Sequence, residues 1–265
     1  MTSECLQLQA MNPNLCIKND ASYHDMYYMN PPAKDLSKIA SSDKVKKVQK
    51  DFEATHVRPQ RLMKTLFTDE AYVKANVDEA RLMRRLFDLA CNMQSHDTDM
   101  QLYSLFTDEE CYDLWSCNNL YWYLTHACSP VTDGLMPYRE ADLLRNILDR
   151  ADAALKEGKN QATLRFGHES CLLPLVALLE LNHYGESYPD VEKLSEQWRA
   201  YDIFPMASNV QFVFFHKKGS NDVLVKVLLN EKETKLPVKT DVAPYYHWKD
   251  VESYYREKLD KYQHI

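Results

Sequence analysis

Leu164-Arg165-Phe166-Gly167-His168-Glu169-Ser170-Cys171-Leu172-Leu173-Pro174-Leu175 is the stretch on which the reading of the fold turns. Ala162–Phe166 reads as a short strand. Gly167, His168 and Glu169 sit at its carboxyl end, and the nearly unbroken apolar run from Cys171 to Leu181 suits a helix packed against a sheet, with Pro174 in its first turn. α/β proteins place reactive groups in this order, because the crevice beyond the carboxyl ends of the strands is their usual ligand site. Gly167 lets the backbone approach a ligand, His168 can donate to an anion, and Glu169 can give or take a proton. The leading N–H groups of the helix favour a phosphate nearby. The same His-Glu pair also fits a plain helix cap, so spacing alone leaves both readings open.

On the C-terminal side, Val210–Phe215 and Val223–Leu229 are two β-rich runs joined through Lys-Lys-Gly-Ser-Asn-Asp, which is a hairpin signal. Tyr245–Tyr262 reads as a closing helix. Towards the N-terminus, Tyr138–Glu157 is amphipathic through Leu143, Leu144, Ile147, Leu148, Ala151 and Leu155, and Gly158 stops it. Before that the pattern is helical. Leu36, Ile39, Val45, Val48 and Phe52 lie at loosely helical spacing, and Pro59 opens a short helix over Arg58–Phe67. Asn76-Val-Asp-Glu79 and Thr107-Asp-Glu-Glu110 are capping-box starts, the second leading into a long aromatic helix. Leu-Phe-Thr-Asp-Glu occurs at 66–70 and again at 105–109, but differing flanks rule out a repeat protein. Leu15-Cys16-Ile17 and Asp20–Met29 read as strand or loop, and Asn30-Pro31-Pro32 breaks what precedes it.

Composition narrows the function. The 265 residues carry 32 Lys+Arg against 39 Asp+Glu, a net charge of −7, with 45% hydrophobic and 27% charged residues. That is a folded chain rather than a disordered one, and an acidic one without a basic stripe, which argues against nucleic acid as a partner. The longest apolar run, Cys171–Leu179, falls short of the roughly 20 residues a membrane span needs. Met1–Ala10 has neither basic start nor apolar block, so no signal peptide is read there. Five glycines form no phosphate loop or dinucleotide fingerprint. The seven cysteines at 5, 16, 91, 111, 117, 128 and 171 lack the close pairs of a zinc site, and Cys111, Cys117 and Cys128 fit buried free thiols.

Leu164–Leu175 resembles the histidine acid phosphatases, in particular the multiple inositol polyphosphate phosphatases, whose pattern reads approximately L-R-F-G-H-A-E-x-L-L-P-L. Phe204–Phe215, Val223–Glu231 and Leu236-Pro237 resemble that family's return strands, and the long helices resemble its inserted helical domain. The resemblance implies an α/β fold: a partial histidine-phosphatase-like sheet flanked by helices, with residues 1–35 as approach segment, 36–137 as helical insertion and 138–265 as partial α/β domain. It implies phosphomonoester hydrolysis through a phosphohistidine, with inositol phosphates as substrates, no metal or other cofactor, and a place outside the cytoplasm. His168 then contacts phosphate and Glu169 is the proton donor. Glu169 stands where the pattern has Ala and Ser170 where it has Glu; other members carry H-D, with the acid directly after His. The family's nucleophile motif, R-H-G-x-R-x-P, is absent, and His56-Val-Arg58-Pro59 does not replace it. The chain therefore reads as a member without its first portion. Removing that central strand should expose Ala162–Phe166 as a sheet edge through which copies associate. A catalytically silent anion-binding or interaction module is the alternative.

Other candidates carry less. His24-Asp25 reads as a loop pair, and His96-Asp97-Thr98-Asp99 lacks the glycine and terminal glutamate of a calcium loop. Arg58, Arg61, Lys64, Arg84 and Arg85 either face an anionic substrate or lie on solvated helix faces. Trp115, Tyr121, Trp122 and Tyr123 fit core packing.

Overall fold

Capping residues decide where the helices begin. Thr107 accepts the Glu110 N–H at 3.2 Å while Glu110 Oε2 accepts the Thr107 N–H at 2.9 Å, completing the capping box read from the sequence. The earlier copy of the pentapeptide behaves differently: Asp69 caps there, accepting from Tyr72 N–H at 2.9 Å. The residue three beyond Thr68 is Ala71, which cannot close the box as Glu110 does. At 76–79 the cap is Asp78, bonded to Arg81 N–H at 3.0 Å, rather than Asn76, which belongs to the preceding helix.

The computed structural model describes residues 2–18, 26–29, 33–159 and 161–262. Its helices are α1 (Thr2–Met11), α2 (Lys34–Ala40), α3 (Asp43–His56), α4 (Gln60–Leu66), α5 (Glu70–Asn76), α6 (Glu79–Asn92), α7 (Asp108–His126), α8 (Ala141–Glu157), α9 (Glu169–Leu178), α10 (Leu194–Gln197), α11 (Ala200–Ile203) and α12 (Trp248–Tyr262). The helix expected across 36–52 is broken at Ser41-Ser42, where Ser42 caps a new start. Leu15–Ile17 is neither helix nor strand; most of Asp20–Met29, including His24-Asp25, and all of Asn30–Pro32 lie outside the described residues. Gly158 ends α8 at φ 65°, a left-handed conformation that glycine adopts without steric cost.

Among the described residues, four strands make one small antiparallel sheet: β1 (Val210–His216), β2 (Val223–Leu229), β3 (Lys232–Glu233) and β4 (Tyr246–His247). β1 and β2 form the expected hairpin, in register from Val210↔Leu229 to His216↔Val223. β3 and β4 share the other flank of β2. Both sides of β2 are thus filled, and the strand expected at Ala162–Phe166 is not formed: residues 161–168 run without regular structure and pair with no strand among the described residues. A strand exists only through its ladder partners.

α9 lies in the principal core. Leu173, Val176 and Leu178 pack in one buried cluster with Leu120 and Tyr123 of α7, Leu144 and Leu148 of α8, Val225 and Val227 of β2, and Val251 and Tyr255 of α12. Each such aliphatic side chain contributes about 1.5–3 kcal/mol when fully buried. A second cluster, built on Leu62, Met83, Phe87 and Leu114, serves the preceding helices, and α7 contributes to both. The chain is a mixed α/β protein, mostly helical.

Candidate active site

α9 positions the two residues singled out from the sequence. It begins at Glu169, not Cys171, with His168 as its N-cap in extended conformation (φ −107°, ψ 166°). The His168 carbonyl accepts the N–H groups of Cys171 at 3.0 Å and Leu172 at 3.1 Å. Its imidazole makes no capping bond and is exposed, as is the Glu169 side chain. The plain-cap reading therefore holds for the backbone of His168 and leaves the ring available. The N–H groups of Glu169 and Ser170 precede the first intrahelical bonds and face outward from the helix end, where the dipole favours negative charge.

The rest of α9 is anchored. Cys171 is buried and its thiol donates to the Met29 carbonyl at 3.2 Å. Gly167 sits against the same methionine: a Cβ there would meet Met29 Cε at 3.4 Å, so the close approach is to protein rather than open space. Pro174 is the sixth residue of the helix, a turn deeper than expected, and removes the N–H that would bond the Ser170 carbonyl. At the other end, α12 receives the last carbonyls. Tyr255 Oη donates to Leu179 O at 2.8 Å and Lys258 Nζ to Leu178 O at 2.7 Å. Glu180, at φ 53°, accepts from Tyr254 Oη at 2.5 Å and pairs with Lys258 at 3.1 Å.

Arg165 leads into the site without facing open solvent. Its Nη2 donates to Asn146 Oδ1 at 2.7 Å, its guanidinium lies 6.0 Å from the centre of the Tyr28 ring, and its Nε is buried with no partner among the described residues. Burial lowers its pKa. Its neighbours Leu164 and Phe166 are 60% and 44% exposed, the reverse of what a sheet-centre strand would show.

Two buried titratable groups were not singled out from the sequence, and one of them, Glu140, lies near Cys171. Glu140, at the head of α8, is only 2% exposed, and burial pushes its carboxyl up to about 8; its Oε2 has no partner among the described residues. His126, the last residue of α7, is held down to about 4 by burial, with Arg139 adding to the effect. Burial, and then Glu140, push the Cys171 thiol up. No pattern of spacing marks these groups, because their character comes from tertiary burial.

The remaining candidates resolve structurally. Arg58 bonds Glu109 and Asp113, Arg61 bonds Glu110 and Leu105 O, Arg84 bonds Glu53, Arg85 bonds Asp88 and Lys64 pairs with Glu70. All five are engaged with neighbouring acids rather than presented to a substrate. Tyr123 is fully buried and Trp115 and Trp122 are half-buried, but Tyr121 is exposed, contrary to the core reading. Cys111, Cys117 and Cys128 are half-buried free thiols. Among the described residues no three His, Cys, Asp or Glu side chains converge to hold a metal.

Comparison with known proteins bears on this arrangement. Over 134 residues, 46% of the chain, the sequence is 28% identical to human multiple inositol polyphosphate phosphatase 1, a match that covers 27% of that protein. Crystal structures of the Bifidobacterium longum multiple inositol polyphosphate phosphatase share the fold at 19% identity. The complex with phosphate superposes with a TM-score of 0.59 and the complex with inositol hexasulfate with 0.54, each over 91% of this chain. The chain spans 59% to 60% of the length of those structures. Residues 11–230, a span holding α7, α8, the His168-Glu169 pair and the β1–β2 hairpin, match the family model of the histidine phosphatase superfamily (branch 2), and the chain belongs to that family.

Proposed function

We propose that the chain carries the phosphate-binding and proton-donating part of a phosphomonoesterase site whose substrates are inositol phosphates. The observation that supports this most is the exposed imidazole of His168 beside the exposed Glu169 at the start of a buried, firmly anchored helix. In this reading His168 and the Glu169 and Ser170 N–H groups hold a phosphoryl oxygen, and charge developing there is stabilised by donors already in place. Glu169, one residue along, delivers a proton to the departing alkoxide, which would otherwise be a poor leaving group. Inositol phosphates are chosen because the relatives in sequence and fold are multiple inositol polyphosphate phosphatases. Residues 36–137 act as an inserted helical part, and the protein works outside the cytoplasm; no described helix is long and apolar enough to cross a membrane.

Attack on phosphorus needs more than these groups. A histidine nucleophile with flanking arginines has to come from outside residues 1–265, because no Arg-His-Gly occurs within them. That same absence favours the second reading, in which residues 1–265 bind an anion without turning it over. Purified 1–265 is therefore expected to show little or no hydrolysis of phytate or of a chromogenic phosphomonoester at acidic pH. Turnover at the level of a whole phosphatase, abolished by His168→Ala, would overturn the claim that the nucleophile lies elsewhere.

A further inference from the structure

His247 has a carboxylate on each ring nitrogen. Its Nδ1 lies 3.0 Å from both Oδ1 and Oδ2 of Asp222, and its Nε2 lies 2.9 Å from Asp241 Oδ1. An ionised carboxylate only accepts, so both nitrogens can be satisfied together only when both carry protons. A neutral imidazole would turn one lone pair towards a negative oxygen. The nitrogens point in opposite directions, so no single metal ion could take the place of the two protons.

The three residues come from separate pieces of chain. Asp222 closes the β1–β2 turn just ahead of β2, Asp241 stands in the loop between β3 and β4, and His247 is in β4, opposite Leu224 of β2. The loop is tied at its start through Leu236 N–H to Tyr246 Oη (3.0 Å) and folded on itself through Thr240 Oγ1 to Tyr245 O (2.7 Å). Asp241 joins its outer part to the strand. The geometry points to an acid-closed clasp, in which the His247 imidazolium ties the 217–222 turn to the 239–245 loop and loss of its proton frees that loop from the sheet.

The surroundings leave His247 to its two acids. Lys226, on β2, is directed to Glu233 at 3.0 Å and to the Tyr245 ring at 5.7 Å. His216, on β1, is bonded to Ser220 O at 2.7 Å. Lys249 and Asp250, at the start of α12, are exposed. Asp222 first, then Asp241, raise the His247 pKa. A folded-state value above the unfolded one makes the clasp complete below about 6.5 and weaker as pH rises through the folded value. The clasp also adjoins α9 indirectly. Trp248, the next residue, donates to Asp152 at 2.9 Å and opens α12, which holds the far end of α9.

Nuclear magnetic resonance of the intact chain tests this. The His247 ring should titrate above the ordinary histidine value of about 6.5, and Asp222→Asn and Asp241→Asn should each lower its midpoint. Amide exchange across 239–245, corrected for the chemical rate, should be severalfold slower at pH 5 than at pH 9. The difference should vanish in His247→Gln. A midpoint at or below 6.5, or an exchange difference that persists in His247→Gln, would overturn the clasp. Should His247→Gln not fold, the wild-type midpoint and its shift in Asp241→Asn, a change at an exposed site, decide the matter.

Discussion

Glu140 and His126 are held in the uncharged state by burial, and each makes stability depend on pH. Glu140 titrates at about 8 in the fold against about 4.3 when exposed. Unfolding therefore releases a proton between those values, and stability falls there as pH rises, by about 1.4 kcal/mol per unit. His126 titrates at about 4 against about 6.5, so its contribution is lost as pH falls from the higher value through the lower. Between roughly 4.5 and 6.5 the two slopes cancel; above that range the loss from Glu140 remains, and the opening of the His247 clasp adds to it. Urea unfolding should show the wild type about 2 kcal/mol less stable at pH 8 than at pH 5.5 from Glu140, and Glu140→Gln should remove that loss. An equal loss in both proteins would contradict the assignment. Neither residue was legible in the sequence: Glu140 stands in Tyr138-Arg139-Glu140-Ala141 and His126 ends an aromatic helix, and nothing there foretells that both are buried. The place of His168 and Glu169 at a helix start was legible, because a polar pair between an extended run and an apolar helix is a local pattern.

Among the elements, several with local signals were read correctly, though the break at Ser41-Ser42 and the Asp78 cap were not, and the one strand that depends on distant partners was misread. The Thr107 box, the Gly158 stop and the β1–β2 hairpin each follow from residues within a few positions of one another. The run 162–166 has strand chemistry of its own, yet no strand forms, and it pairs with none of β1 to β4. Its backbone groups have no ladder to protect them. Hydrogen exchange should therefore be fast across 162–166 and slow across α9, whose core residues Leu173, Val176 and Leu178 are buried. Strong protection of 162–166 in a monomer would show that another strand occupies the place beside it.

For the whole molecule, the exposed Leu164 and Phe166 on an unpaired segment form an apolar surface that a strand of another chain can cover. We propose that copies of 1–265 associate through it. Sedimentation should show mass rising with concentration, and Leu164→Ser combined with Phe166→Ser should return the protein to monomer; an unchanged mass in that variant would place the contact elsewhere. The candidate site consists of two exposed side chains and a helix start. One measurement reaches that site most directly: titration of 1–265 with inorganic phosphate, followed through amide and histidine-ring resonances. Shifts should centre on residues 167–171 and saturate weakly, since one imidazole and two amides lack the bidentate contacts of an arginine clamp. They should disappear in His168→Ala and persist or strengthen in Glu169→Gln, which removes a like charge. Shifts confined to other parts of the chain, or unchanged by His168→Ala, would contradict the placement of the phosphate site.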